Sequence, residues 1–546
     1  MQQDADEAKL QRPSHDAVEL SPLAETLLKA ILEIKPKPAI NDYQKLTVSR
    51  TASIFALVYE KVRNAIEYRE DHLLRRAAIE RILRRRLALN PKGASESENV
   101  LRELLWARYF KEGEIGKSDV ENIQHIINTY LSIKSRLTSG RPGKAKQYLN
   151  EFLLDIVTAE IEEELAVVNA KVENSFTYFI FQVLKDKVKI EKLEEHQKDL
   201  LLFIAIEKAY RKSDRAYQRY HLFRLFHEPL HSYNHTQLDH MIAEMPNIFH
   251  QLDKHIHDPL VEKLVRFSRK QLPPFLILFS IIKDHKKNIV EIVKSKDALW
   301  SKVEETARNK YAMIRSRLNT LAFRSLIYIF VTKMLLALAL EVPISQLIYN
   351  EVNLYAIGIN TVAPPIFMLF IILTVSVPGE NNTRRLFLRI LDIVNRDTTF
   401  EKTVALIAQK AKPKRPLLSI GFTILYTSTF VVTLYIIHKI LQMVDFNLLS
   451  ESIFVFFISV VAFFSYRIKQ IANTYRLIEK KGFLQPVTDF FFMPILSLGK
   501  LFSEGVSRIN VFIVFFDFII EAPFKLVVEV VEEWITFVRQ RKEEIV

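Results

Sequence analysis

Apolar and polar positions alternate in two different ways along this chain, and the change comes near residue 319. Before it, apolar residues recur every three or four positions, as in Ile54, Leu57, Val58, Val62 and Ile66, which is the spacing of one helix face. After it, four stretches are apolar almost without interruption, at about 321–340, 352–378, 416–438 and 446–466. A spanning helix needs roughly 20 apolar residues, because the hydrocarbon core is about 30 Å thick and each residue rises about 1.5 Å. All four stretches meet that length and are predicted to cross a bilayer.

The connections between them alternate in charge. Lys310, Arg315 and Arg317 precede the first stretch, and Arg384, Arg385, Arg389, Lys410, Lys412 and Lys414 lie between the second and third. Arg467, Lys469 and Arg476 follow the fourth, whereas Glu341–Glu351 carries no Lys or Arg. Basic short loops stay on the cytoplasmic side. Four crossings of a cytoplasmic (inner) membrane, with both termini in the cytoplasm, satisfy every loop.

The helical pattern before the spans predicts a cytoplasmic domain over 16–318, with a disordered start at 1–15, a membrane domain over 319–472 and an interfacial tail over 473–546. Helices are expected over Ser21–Glu33 and Thr47–Leu89, then to Phe110 from a Ser95/Glu98 capping box and to Leu137 from a Ser118/Glu121 box. A long stripe follows to Lys187, another helix runs from Glu191 to Phe226, and a last one follows Pro273-Pro274 into the first span. Glycine supports the same fold class. There are 11, none between Lys144 and Ile357, and hairpins and tight turns need residues that tolerate positive φ. The protein is read as all-α.

Composition narrows the chemistry. With no cysteine, disulfides, thiolate metal sites and Cys nucleophiles are excluded. The polar opening Met1–Ser14 is not the pattern of a cleavable secretory signal, so none is expected. The net charge of +13 is partly explained by the basic loops, and nucleic acid is not expected as a partner.

Four groups of residues are candidates for function. Arg75, Arg76, Arg81, Arg84, Arg85 and Arg86 crowd one helix, either paired to acidic helices such as that of Glu162–Glu164 or facing anionic lipid headgroups or a protein partner. His227-Glu228-Pro229-Leu230-His231 fits the spacing of a zinc peptidase, and His235 lies close by. Pro229 cannot sit inside the continuous helix that such a site requires, so catalysis is not expected and a non-catalytic metal site is the weaker alternative. In the spans, Lys333 is paired to Glu341, Glu351 or another span, or caps a bundle interface, while Asn360, Thr361, Pro364 and Pro365 interrupt the second span. The tail's runs Asp489–Gly499 and Ile509–Ile520 are too short to span and suit re-entrant or interfacial segments. Its last helix, from Phe524, is read as a membrane-surface or docking face, or as a fifth crossing.

No Walker loop, dinucleotide fingerprint, kinase set or Ser elbow occurs, and no cofactor is expected. The leading expectation is a non-enzymatic membrane-anchored scaffold with protein partners or self-association at the cytoplasmic face. The alternatives are a channel or transporter subunit using Lys333 and the broken second span, and a metal-dependent enzyme using the His-rich stretch 221–285.

Overall fold

A computed structural model gives the architecture of the chain. It describes residues 17–38, 40, 41, 44–48, 60, 70–190, 193–350, 352–395, 405–407, 416–477 and 493–499, with 501, 530, 534, 537 and 538. The expected disordered start and most of 49–69 lie outside these, as do all of the tail's second apolar run and most of its last helix. The described residues are mostly helical, in agreement with an all-α fold. They form two compact units, one of Pro22–Arg269, Lys402–Gln409 and Val514–Val546, the other of Met1–Ser21, Lys270–Glu401 and Lys410–Ile513.

The first unit holds α1 (Pro22–Glu33), α2 (Asp71–Leu89), α3 (Glu96–Trp106), α4 (Lys117–Thr138), α5 (Gly143–Leu165), α6 (Val167–Leu184), α7 (Glu195–Ile206), α8 (Arg215–Phe226) and α9 (His235–Ile256). At its centre is α5, buried nearly all round from Leu149 to Leu165 and packed against α2, α4 and α8. That burial follows from its sequence, in which apolar residues occupy every side of the cylinder between Phe152 and Ile161. Phe152 stacks on Phe249 of α9 at 3.9 Å between centroids.

Several expected elements change here. The long stripe to Lys187 is two helices, because Ala166 leaves helical geometry at φ −103° and ψ 31° while the apolar spacing continues across it. The helix expected from Glu191 to Phe226 is also two, separated by a π-turn over Glu207–Arg211 and by Lys212 at φ 55°. Ser95 makes no cap, since its φ is 58° and the first-turn N–H of Ser97 is taken by Gln124 from α4. Likewise α4 is capped at Gly116, whose N–H donates to Asp119 at 2.8 Å, and not at Ser118. A short parallel pair, β1 (Val188–Ile190) with β2 (Ala405–Ile407), draws part of the connection between the second and third apolar stretches into this unit.

After α10 (Pro259–Asp284) and α11 (Ile289–Lys294), the second unit is built on α12 (Lys296–Leu336), which continues through a π-turn at Ala337–Glu341 into α13 (Val342–Tyr349). Then come α14 (Leu354–Thr374), α15 (Glu380–Val394), α16 (Pro416–Gln442) and α17 (Leu448–Ala472). Among the described residues, three helices are long and apolar enough to cross a membrane: Lys296–Ile348, Ile420–Gln442 and Leu448–Ala472. That is one fewer than the four expected, because the described apolar stretch of α14, Leu354–Phe370, falls short of that length. The connection expected over 341–351 is largely helix as well.

Two proline pairs fail to break their helices. Pro273-Pro274 sits within α10, where the carbonyls it orphans belong to Arg269 and Lys270, both exposed residues. Pro364-Pro365 sits within α14, so the broken second span of the sequence reading is a continuous helix. α12, α14 and α17 pack together around Ile329, Met368, Phe457 and Val461.

Candidate functional site

Inside that three-helix core lies a small polar cluster. Lys333 Nζ is 3.2 Å from Glu341 Oε2, and both side chains are fully buried. The π-turn makes the pair possible. Residues eight apart on a regular α-helix point about 80° away from each other, and a turn that absorbs one extra residue brings them within about 20°. Asn360 of α14 donates from Nδ2 to Glu341 Oε1 at 2.8 Å and to the carbonyl of Ser450, in the first turn of α17, at 3.1 Å. The face of Phe457 lies 5.0 Å from the Lys333 ammonium. The cluster thus joins groups from three helices.

The cluster continues toward the end where the 443–447 connection lies. Asn447 caps α17 by accepting from Ser450 N at 2.8 Å and donates to Ser345 at 3.3 Å, while Asn353 donates to the Asp445 carbonyl. Glu451 pairs with His438 of α16 at 2.7 Å. Sequence reasoning did not pair the two, because single polar residues on different helices carry no spacing signal.

At the other end Asn382 of α15 donates to Tyr311 at 2.7 Å and to the Tyr475 carbonyl at 2.8 Å, and accepts from Leu477 N at 2.9 Å. Arg476 bonds Ser376 there at 3.0 Å. Polar ties therefore hold the bundle at both ends. Of the intramembrane candidates, Lys333 and Asn360 are brought together. Thr361 bonds its own Ile357 carbonyl at 2.8 Å, and Pro364 and Pro365 contribute no break.

The arginine helix turns inward. Arg75 meets Glu162 at 2.5 Å, Arg76 meets Asp214 and Glu80 at 2.9 Å, and Arg81 meets Glu60 at 3.0 Å. Arg84 also binds Glu80, and Arg85 and Arg86 share Glu103. This is the internal pairing that the sequence offered as one of two readings. Only Arg84, with 49% of its side chain exposed, is more than a quarter open to solvent.

Beside that helix, His221 lies between two carboxylates, Glu207 at 2.8 Å on Nδ1 and Glu163 at 2.9 Å on Nε2. Burial opposes its charge, but Glu207 and Glu163 outweigh burial and the nearby Arg211, lifting its pKa to about 9. Burial likewise works against the Glu207 carboxylate, which His221 and Arg211 nevertheless hold at about 2. His72, by contrast, is pushed down to about 4 by burial and by Arg211 and Arg75.

The His227–His235 stretch does not converge. α8 ends at Phe226, a 3₁₀ turn covers Leu230–Ser232 and α9 starts at His235, so no helix carries both His227 and His231. His227 lies against Phe223 at 4.8 Å, Glu228 reaches Arg224 at 3.5 Å and His231 pairs with Glu160 at 2.5 Å. Among the described residues no group of three His, Asp or Glu could hold a metal ion; the side chain of His235 lies outside them.

The fold and this cluster define a mostly helical protein with, among the described residues, three helices long and apolar enough to cross a membrane. No family model, curated protein or solved structure matches the chain.

Proposed function

We propose that the protein is a non-enzymatic, membrane-anchored helical scaffold, whose first unit organises partners at the cytoplasmic face of the inner membrane. The observation that carries this reading is the closed Lys333–Glu341–Asn360 cluster within the α12–α14–α17 core. Its charges serve one another, as in a clasp that fixes helix register.

The reading includes four crossings. Support comes from bonds between segments that precede and follow them. Ser21 N donates to the Val394 carbonyl and Leu20 bridges Asn395, so the chain before the first crossing meets the chain after α14. Asn382 then ties both to Tyr475 and Leu477, after α17. If α12 crosses, α14 returns, and α16 and α17 cross as a pair. The basic loops put those shared ends in the cytoplasm.

Proximity labelling of the intact protein in its own membrane tests the scaffold: a reproducible set of cytoplasmic-side neighbours supports it, and their absence opposes it. One observation favours a channel or transporter instead, since the buried Oδ1 of Asn360 accepts no hydrogen bond among the described residues. That reading requires a flux in reconstituted vesicles that Lys333→Leu abolishes.

A further inference from the structure

We infer that the chain re-enters the membrane after α17 and docks residues 493–499 in a groove between α16 and α17, returning to the side it left. These residues are helical and lie against the bundle rather than apart from it. Ile495 and Leu498 share an apolar cleft with Leu434 and Ile437 of α16 and Phe454, Val455, Ile458 and Ser459 of α17. Ser497 and Tyr426 hydroxyls pair at 3.1 Å.

Gly499 carries the close approach. A Cβ there would overlap the Ser459 carbonyl oxygen and lie 2.8 Å from Phe463 Cβ, so only a residue without a side chain lets the two backbones meet. Elsewhere α16 has little to hold it, since only 6% of its apolar window is buried. The segment gives that helix a protein neighbour.

Depth and direction come from the same contacts. The chain leaves α17 beside Asn382, whereas Phe454 lies about 30 Å away along that helix. Residues 478–492 reach about 50 Å if extended, ample for the descent. Gly499 sits further along α17 than the Phe454–Ile458 wall that receives Ile495 and Leu498, so 493–499 runs the way α17 runs, back toward Asn382. Seven helical residues rise about 10 Å, too little to cross. The described far-tail positions Val530, Trp534, Phe537 and Val538 then group with the first unit. Such an excursion is tolerated at membrane depth because its helix satisfies its own backbone, with Pro494 and Gly499 buried and Met493 and Ser497 exposed.

The absence of native cysteine allows single-cysteine versions of the full chain to test this in sealed vesicles with a membrane-impermeant maleimide. Gly482→Cys and Ser507→Cys are expected to react from the same face as Ser14→Cys. Ser497→Cys should react on the order of tenfold slower until detergent is added, because at that depth the face it exposes meets hydrocarbon and not water. A Tyr426→Cys/Ser497→Cys pair should be bridged by a short membrane-permeant bis-maleimide, since the reach of the tyrosine puts the two Cβ atoms beyond disulfide distance, and should lose the cross-link with Gly499→Leu. Reaction of Gly482→Cys and Ser507→Cys from opposite faces would replace the excursion with a crossing. Fast labelling of Ser497→Cys without cross-linking would place the segment at the surface. Should Gly499→Leu fail to fold, the proteins with Gly499 intact decide the matter alone.

Discussion

In the first unit a buried histidine meets a carboxylate on each ring nitrogen, with an arginine beside it; in the second a buried lysine meets one carboxylate and one ring face. The first unit can dispense with economy because its helices are rich in charge. Asp155 and Asp253 both hold Arg219, and Glu162 serves Arg75 and Tyr217. In the spans each ionisable group is costly, so few are present, and the Lys333–Glu341 pair and Glu451 each reach a neighbouring helix. Abundant mutual pairing makes a rigid block, whereas the sparse cluster depends on every member.

That contrast is broken most severely in the first unit. Glu207→Leu strands the buried charges of His221 and Arg211 and is expected to cost about 3–5 kcal/mol, seen as a lowered unfolding midpoint of the purified protein. Lys333→Met comes next. It leaves the Glu341 carboxylate without its counter-charge and should cost about 3 kcal/mol, whereas Lys333→Met/Glu341→Leu removes both charges and should recover most of that loss. Equal losses in the single and double variants would show that the pair is not coupled.

Acidity separates the units further. His221 has a folded pKa of about 9 against an ordinary 6.5, so its stabilisation is complete below about pH 6.5 and is lost as pH rises through 9. Glu207, at about 2 against 4.5, stabilises fully above about pH 4.5 and loses that contribution as pH falls toward 2. His72, at about 4, leaves the unfolded chain to take the proton first, which costs stability as pH falls from 6.5 to 4. The first unit should therefore be most stable near pH 6.5, and unfolding followed across pH 4–9 checks this. The smallest effect belongs to Arg84→Ala, about 0.5 kcal/mol or less, because that guanidinium is half exposed.

Much of this was legible in the residues. The uncharged run from Pro416 to Ile437 has one physical use, and the scarcity of glycine between Lys144 and Ile357 favours helices. Lys333 stood out as a charge in an apolar run, and Glu341 was among its named partners. Their pairing was not legible, because eight residues is the wrong spacing unless a π-turn intervenes, and no sequence pattern announces one. The inward arginines were half legible, since pattern shows that a helix is basic but not which carboxylates face it. Proline pairs misled for a related reason: whether Pro364-Pro365 breaks a helix depends on what surrounds the freed carbonyls.

The account rests on the Lys333–Glu341–Asn360 cluster acting as a clasp in an anchor. The measurement that tests it most directly compares the intact protein with Lys333→Met/Glu341→Leu in its own membrane, recording cytoplasmic-side neighbours by proximity labelling and ion flux in vesicles. An anchor predicts the same neighbours for both proteins and no flux that the substitutions remove. A flux present in the unaltered protein and absent from the variant, with the first unit still folded, would contradict the scaffold and make Lys333 part of a pathway.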